Sequence, residues 1–156
     1  MAIETKKETE VLRKEALTFL GKHKKMILTV LDKEGYPNSS LVLYANKAFD
    51  VYFGTRRAFG KYAALNADPH VALAVVGEGI DPLQVLDMQG VAEEISEKDF
   101  KDTLSWFAEK NTSKFYVKDA DDLVMFRIKP TCIRWLDALS GDLQICDITP
   151  EENSVS

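Results

Sequence analysis

The residues best suited to chemistry stand in one stretch, Val51-Tyr52-Phe53-Gly54-Thr55-Arg56-Arg57-Ala58-Phe59-Gly60-Lys61. A strand-like run ends in a hydroxyl, two arginines follow, and a short helix begins with a lysine one turn in. A phosphate monoester carries about −1.5 to −2 charges and three strong acceptor oxygens. Thr55 can donate a hydroxyl proton to such a group, Arg56 can grip it with two prongs, and Lys61 adds a point charge. A helix N-terminus contributes free backbone N–H groups. The pattern fits a phosphate site. The plainer alternative is a solvated turn, because charged pairs after a strand are common.

The other reactive side chains do not assemble into machinery. His23 lies in a lysine-rich helix end and reads as a solvated cap. His70 opens an apolar run and reads as a structural edge residue rather than a base or an axial haem ligand. Asp87, Glu93 and Glu94 are spread along one segment instead of forming an acid–base dyad. Cys132 and Cys146 match no metal-ligand spacing, and their apolar neighbours suggest reduced, packed thiols. Trp135 beside Arg134 suggests core packing. No nucleophile–His–acid set is present, so no catalytic side chain and no metal site are assigned.

The elements that must position these residues follow from periodicity. Leu12, Ala16, Phe19 and Leu20 recur at helical spacing, and Gly21 is placed to end that helix. Met26 to Leu31 is a short apolar run of strand formers, closed by the turn Asp32-Lys33-Glu34-Gly35. Ser40 to Tyr44 and Val51 to Gly54 read as two further strands, and the short connections predict an antiparallel meander. A helix is expected over Ala58 to Leu65, stopped by Asp68-Pro69. Val71 to Val76 is a fourth strand, and Leu83 to Ile95 a long one, with Gly90 marking a bulge or bend. Ser96 and Asp99 form a capping pair ahead of a helix striped by Phe100, Leu104, Phe107 and Ala108. A polar connection with Phe115 and Tyr116 leads to strands over Leu123 to Ile128 and Thr131 to Leu136, separated by Lys129-Pro130. The last residues, 141–156, form an acidic tail with one short extended piece.

The expected fold is mainly β: about seven strands closing as an antiparallel barrel, with about three flanking helices plugging or covering its ends. It comprises an N-terminal helix (1–24), the barrel with helices (25–140) and the tail (141–156). The chain has 156 residues, 46% of them hydrophobic and 29% charged, which excludes a disordered chain and suits one domain. The net charge of −5 argues against a nucleic-acid partner but not against a small anion held by a local cluster of cations. No signal peptide or membrane-spanning run is visible, so a cytoplasmic protein is expected.

The order Ile27-Leu28-Thr29-Val30, Gly35-Tyr36-Pro37, Tyr52-Phe53-Gly54-Thr55, Lys61, Asn66-Ala67-Asp68-Pro69-His70-Val71 and Gly90-Val91-Ala92-Glu93 resembles the pyridoxamine 5′-phosphate oxidase-like, FMN-binding split-barrel superfamily over 26–136. The resemblance implies a six-stranded antiparallel barrel with Greek-key features that dimerises with two FMN molecules at the subunit interface, which makes the expected fold a six- to seven-stranded antiparallel split β-barrel. It places Ser39, Ser40, Leu41 and Val42 along the isoalloxazine, and Gly54 and Thr55 near the ribityl–phosphate end. Lys61 matches the phosphate-binding lysine, and Arg56 is its candidate partner. Trp106 is the candidate to stack on the flavin across the interface, with packing as the alternative.

Departures exclude a vitamin B6 oxidase. Ser39 or Ser40 stands where those enzymes carry an arginine, and Phe59-Gly60-Lys61 replaces a Ser-Arg-Lys run. Neither Gln84 nor Gln89 falls at the position of their FMN-contacting glutamine, and the C-terminal Arg and Trp pattern is missing. The expectation is therefore a homodimeric FMN-binding flavoprotein of the oxidoreductase class, passing hydride or electrons to a small molecule. Rivals are a deazaflavin-dependent reductase, with Lys22, Lys24, Lys25 and Arg57 serving a longer anionic tail, and a non-catalytic flavin or haem binder. An empty barrel is the third.

Overall fold

A computed structural model describes residues 9–79, 82–111, 121–138 and 144–149. Its elements are α1 (Thr9–Lys22), β1 (Lys25–Leu31), β2 (Pro37–Leu43), β3 (Ala45–Lys47), β4 (Asp50–Arg56), α2 (Gly60–Ala67), β5 (His70–Val76), β6 (Gln84–Glu94), α3 (Glu97–Lys110), β7 (Leu123–Asp137) and β8 (Gln144–Ile148). The eight strands form one antiparallel sheet in the order β2-β1-β5-β6-β7-β4-β3, with β8 added beside β7. No helix among the described residues is long and apolar enough to cross a membrane.

This order explains why the sheet curls. β2 and β3 lie at opposite ends of the hydrogen-bonded path, yet only Tyr44 separates them in sequence. One residue cannot span an open sheet, so the ends must approach each other and the sheet becomes a split barrel. Tyr44 is the pivot. It is fully buried, its N–H donates to the Lys24 carbonyl at 2.9 Å, and its hydroxyl donates to the Leu20 carbonyl at 2.6 Å. The expected mainly-β split barrel with three helices is what forms. The expected meander is not: β4 pairs with β3 and β7 rather than with β2. Short connections were read as pairing, whereas here the chain crosses the barrel seam.

Alternation sets the inside. Met26, Leu28 and Val30 of β1 and Val71, Leu73 and Val75 of β5 point into the main core, where Leu12, Ala16, Phe19 and Leu20 of α1 join them. Ala64 and Leu65 of α2 enter the same core. α3 does not cover a barrel end. It lies on the other face of β3, β4 and β7, where Phe107 packs against Ala45, Tyr52 and Met125. The middle of β4 is therefore buried on both faces.

Several boundaries move for local reasons. α1 runs one residue past Gly21, and α2 starts two residues later than expected because Phe59 N–H first closes a turn on the Arg56 carbonyl. Ser96 is the N-cap of α3, but its hydroxyl meets the Asp99 carboxylate at 3.1 Å instead of accepting a helix N–H. The two strands expected around Lys129-Pro130 are one strand, β7. Gly90 opposes Pro130 and Gln89 opposes Cys132, which leaves Thr131 bulged out between them. A bulge tolerates the missing proline N–H. A Cβ at Gly90 would sit 2.5 Å from the Lys129 carbonyl oxygen, so only glycine fits there. The tail contributes β8, the one short extended piece expected there, and its Ile148 is buried. Phe115, Tyr116 and the remainder of the tail lie outside the described residues.

Candidate functional site

Lys61 lies in the first turn of α2, where N–H groups lack intrahelical partners. The α2 helix leans on β1 and β4. This brings Lys61 to a cavity of about 400 Å³ that is also lined by Val30, Asp32, Asn38, Ser39, Ser40, Phe59, Gly60 and Ala64. Residues far apart in sequence thus converge: the β1–β2 turn, the start of β2 and the start of α2. Burial holds the Lys61 ammonium below the usual lysine range. Lys61 makes no ion pair with any described residue, so its charge is free to meet an anion.

Asp32 enters the same cavity as an anchored carboxylate. Its Oδ1 accepts the N–H groups of Glu34 and Tyr36, both at 2.9 Å, and its Oδ2 accepts from Asn38 Nδ2 at 3.1 Å. These bonds, the Tyr36 N–H first, hold Asp32 below the ordinary carboxylate range.

A second cavity of about 570 Å³ opens on the outer face of the sheet. Ile27, Thr29, Ala72, Ala74, Asp87, Gln89, Cys132 and Arg134 line it. The two cavities meet at one contact: Thr29 Oγ1 of the second lies 2.7 Å from Ser39 Oγ of the first. The first cavity gathers residues of β1, β2 and α2, and the second residues of β1, β5, β6 and β7, so β1 borders both. Among the described residues lining the two cavities, the cations are Lys61 and Arg134. Arg134 donates through Nε to Asp147 at 2.9 Å and stands opposite Asp87.

The proposed site residues divide accordingly. Ser39, Ser40 and Lys61 share the first cavity. Leu41 lies on the outer face, 61% exposed, while Val42 turns into the core. β2 ends the sheet path, so part of its backbone points away from β1 toward the seam. Thr55 is buried on the face of β4 shared with Val51 and Phe53, and its Oγ1 has no hydrogen-bond partner. Gly54 and Arg56 belong to the opposite face. Arg56 Nη1 donates to Asp122 at 2.8 Å, and Arg56 does not line the Lys61 cavity. Arg57 lines a different cavity with Glu94, Glu97 and Asp121. Trp106 stays on α3, edge-on to Tyr52 with ring centroids 5.0 Å apart and Lys47 Nζ 4.6 Å from its own centroid.

Other residues complete the inventory. His23 Nδ1 is 2.8 Å from the Phe19 carbonyl, and exposed His70 pairs through Nδ1 with Asp68 at 2.7 Å. Cys132 is exposed on the outer face rather than packed, which corrects the reading of its apolar neighbours. At a bulge, strand alternation no longer predicts which side chains point inward. The Cys146 side chain is outside what the structure describes. Sequence reasoning took Asp32 as a turn former and missed its place beside Lys61. It also missed Asp122 as the partner of Arg56. Both placements are non-local and leave no mark in spacing.

A family profile described as pyridoxamine 5′-phosphate oxidase matches residues 12–136. No curated protein matches the chain significantly. Among solved structures, the chain is similar to a haem-binding protein from Mycobacterium smegmatis, with 20% identity and a TM-score of 0.78. That match covers 91% of this chain and 59% of the other, so this chain spans well under two thirds of that relative. It is also similar to HutZ, the haem storage protein of Vibrio cholerae, at 18% identity and TM-score 0.64, covering 76% and 89%. An F420 reductase matches at 20% identity and TM-score 0.63, covering 74% and 93%. At these identities the likeness is one of fold.

Proposed function

The chain belongs to the pyridoxamine 5′-phosphate oxidase family, and on that footing we propose that it is an FMN-binding flavoprotein of the oxidoreductase class that acts as a homodimer on a small molecule. The observation that carries this reading is the half-buried Lys61 ammonium, which makes no ion pair among the described residues. It shares a cavity with the Ser39 and Ser40 hydroxyls, and we read that cavity, together with the larger one reached past the Ser39–Thr29 hydrogen bond, as one groove. Such a groove suits a ligand with one phosphorylated end and a broad, uncharged body. Lys61 would neutralise the phosphate and the serines would donate to it. The seam-facing backbone of β2 would offer N–H groups to the polar edge of the ring. Bound FMN supplies the redox chemistry, taking and returning a hydride, so no catalytic side chain is required.

The outer face supports the dimer. Leu41 is 61% and Ile27 40% exposed, and Ala72 and Ala74 adjoin them, so a largely uncharged surface lies over the groove. A second copy would cover it and exclude water.

A deazaflavin-dependent reductase is the second reading. Exposed Lys25 continues the face of Ile27 and Thr29 at the start of β1, where a longer anionic tail could follow. Haem binding, named for two of the structural neighbours, is the third reading. The Nδ1 contacts of His23 with the Phe19 carbonyl and of His70 with Asp68 do not count against it, because a histidine that ligates metal commonly makes such a contact with its other ring nitrogen. The test is Lys61→Ala. Loss of a charge-assisted phosphate contact should weaken FMN about tenfold or more and leave riboflavin unchanged. Equal loss for both ligands refutes the phosphate role.

A further inference from the structure

We propose that Asp32 makes the Lys61 cavity select a phosphate in its singly charged, protonated form over the dianion of a phosphomonoester. The inference rests on the flavin reading above and specifies which charge state of the ligand its site accepts.

The charge count of the cavity carries it. Among the described lining residues only Asp32 and Lys61 are titratable, one anion and one cation. The two arginines that could have tipped the balance do not line this cavity: Arg56 pairs with Asp122, and Arg57 lines a different cavity. A dianion entering this cavity meets one ammonium and one carboxylate and leaves a net negative charge in a half-enclosed space. A singly charged phosphate leaves one negative charge fewer beside the same Asp32 and Lys61 pair and is repelled by Asp32 less strongly.

The geometry of Asp32 strengthens the preference. Oδ1 is occupied by two N–H groups, whereas Oδ2 takes only Asn38 Nδ2. A carboxylate oxygen has capacity for about two acceptances, so Oδ2 can take one more hydrogen bond. A dianionic phosphate has no proton to give it, but a singly protonated one donates its P–O–H. The same bonds keep Asp32 ionised and prevent it from swinging away. Asp32 is therefore a specificity residue that acts on the ligand's protonation state.

The test measures dissociation constants of riboflavin, FMN and the monomethyl ester of riboflavin 5′-phosphate by flavin fluorescence. With the second phosphate pKa near ~6, the singly charged fraction rises roughly 20-fold from about pH 7.5 to about pH 5.5, so FMN binding should tighten by about that factor. Riboflavin and the methyl ester, whose charges do not change in this range, should stay flat. Asp32→Asn keeps an oxygen for the Glu34 and Tyr36 N–H groups. It should tighten FMN about tenfold at neutral pH and flatten its pH profile. FMN affinity that is flat or rises with pH in the wild type, or an Asp32→Asn protein with unchanged FMN affinity, overturns the proposal. The wild-type profile decides alone should the variant fail to fold. Failure of all three ligands to bind overturns the flavin reading itself, and this inference with it.

Discussion

At the scale of single residues, Lys61 shows what a sequence can and cannot convey. Its spacing behind a strand that ends in Thr55 marked it as a phosphate ligand, and it does line a cavity with Ser39 and Ser40. Arg56 carried the same promise by proximity, yet strand alternation turns it to the other face of β4 and into a pair with Asp122. Neighbours in sequence along a strand are not neighbours in a site.

Two other residues give predictions at this scale. Lys110 Nζ is buried 4.5 Å from the centroid of the Tyr44 ring without a hydrogen-bond partner, and burial, with Lys24 nearby, pushes its pKa down to about 8. The unfolded chain then binds more protons than the folded one above that value. Wild-type stability should therefore rise with pH from about 8 toward the ordinary lysine value near 10.4. Lys110→Met should gain about 1 kcal/mol at neutral pH once solvent screening is allowed for, and lose that pH-dependent rise. Urea unfolding across this range checks it; a parallel offset at every pH contradicts it. Ala48 has a φ of 49° in the β3–β4 turn. A left-handed conformation costs an L-residue roughly 1–2 kcal/mol, so Ala48→Gly should raise the melting temperature. A lowered one shows that the turn holds no such strain.

At the scale of elements, most of the fold was legible and most pairings were not. The periodicity of Leu12, Ala16, Phe19 and Leu20 found α1 and its buried face. Gly90 was marked as a bulge, and the register does shift at that point. Which strands lie side by side depended on Tyr44 carrying the chain across the seam, and no local pattern encodes that. Pro130 misled because proline usually interrupts a strand, whereas here the bulge opposite Gly90 absorbs it. Gly90→Ala should be costly, since its Cβ would press on the Lys129 carbonyl oxygen and Ile128 Cγ2. Overpacking of this kind costs about 1–3 kcal/mol. Denaturant midpoints test it, and a neutral substitution would mean that β7 yields at the bulge.

At the scale of the whole molecule, the net charge of −5 coexists with a cavity lined by the Lys61 ammonium. The groove is open along the outer face, so a single copy leaves much of a bound cofactor in water. On this account sedimentation gives a dimer of about twice 17.5 kDa at micromolar protein. Exchanging Leu41 for a charged residue should dissociate it and weaken FMN together. A dimer that survives Leu41→Glu with FMN affinity intact places the interface elsewhere.

The central claim, a flavin held by its phosphate in the groove that starts at Lys61, is tested most directly by the visible spectrum of the purified protein with and without added FMN. The account predicts a yellow, two-band flavin spectrum that is retained through gel filtration and is lost in Lys61→Ala. A sharp Soret band instead, or added FMN that elutes free of the protein, contradicts it.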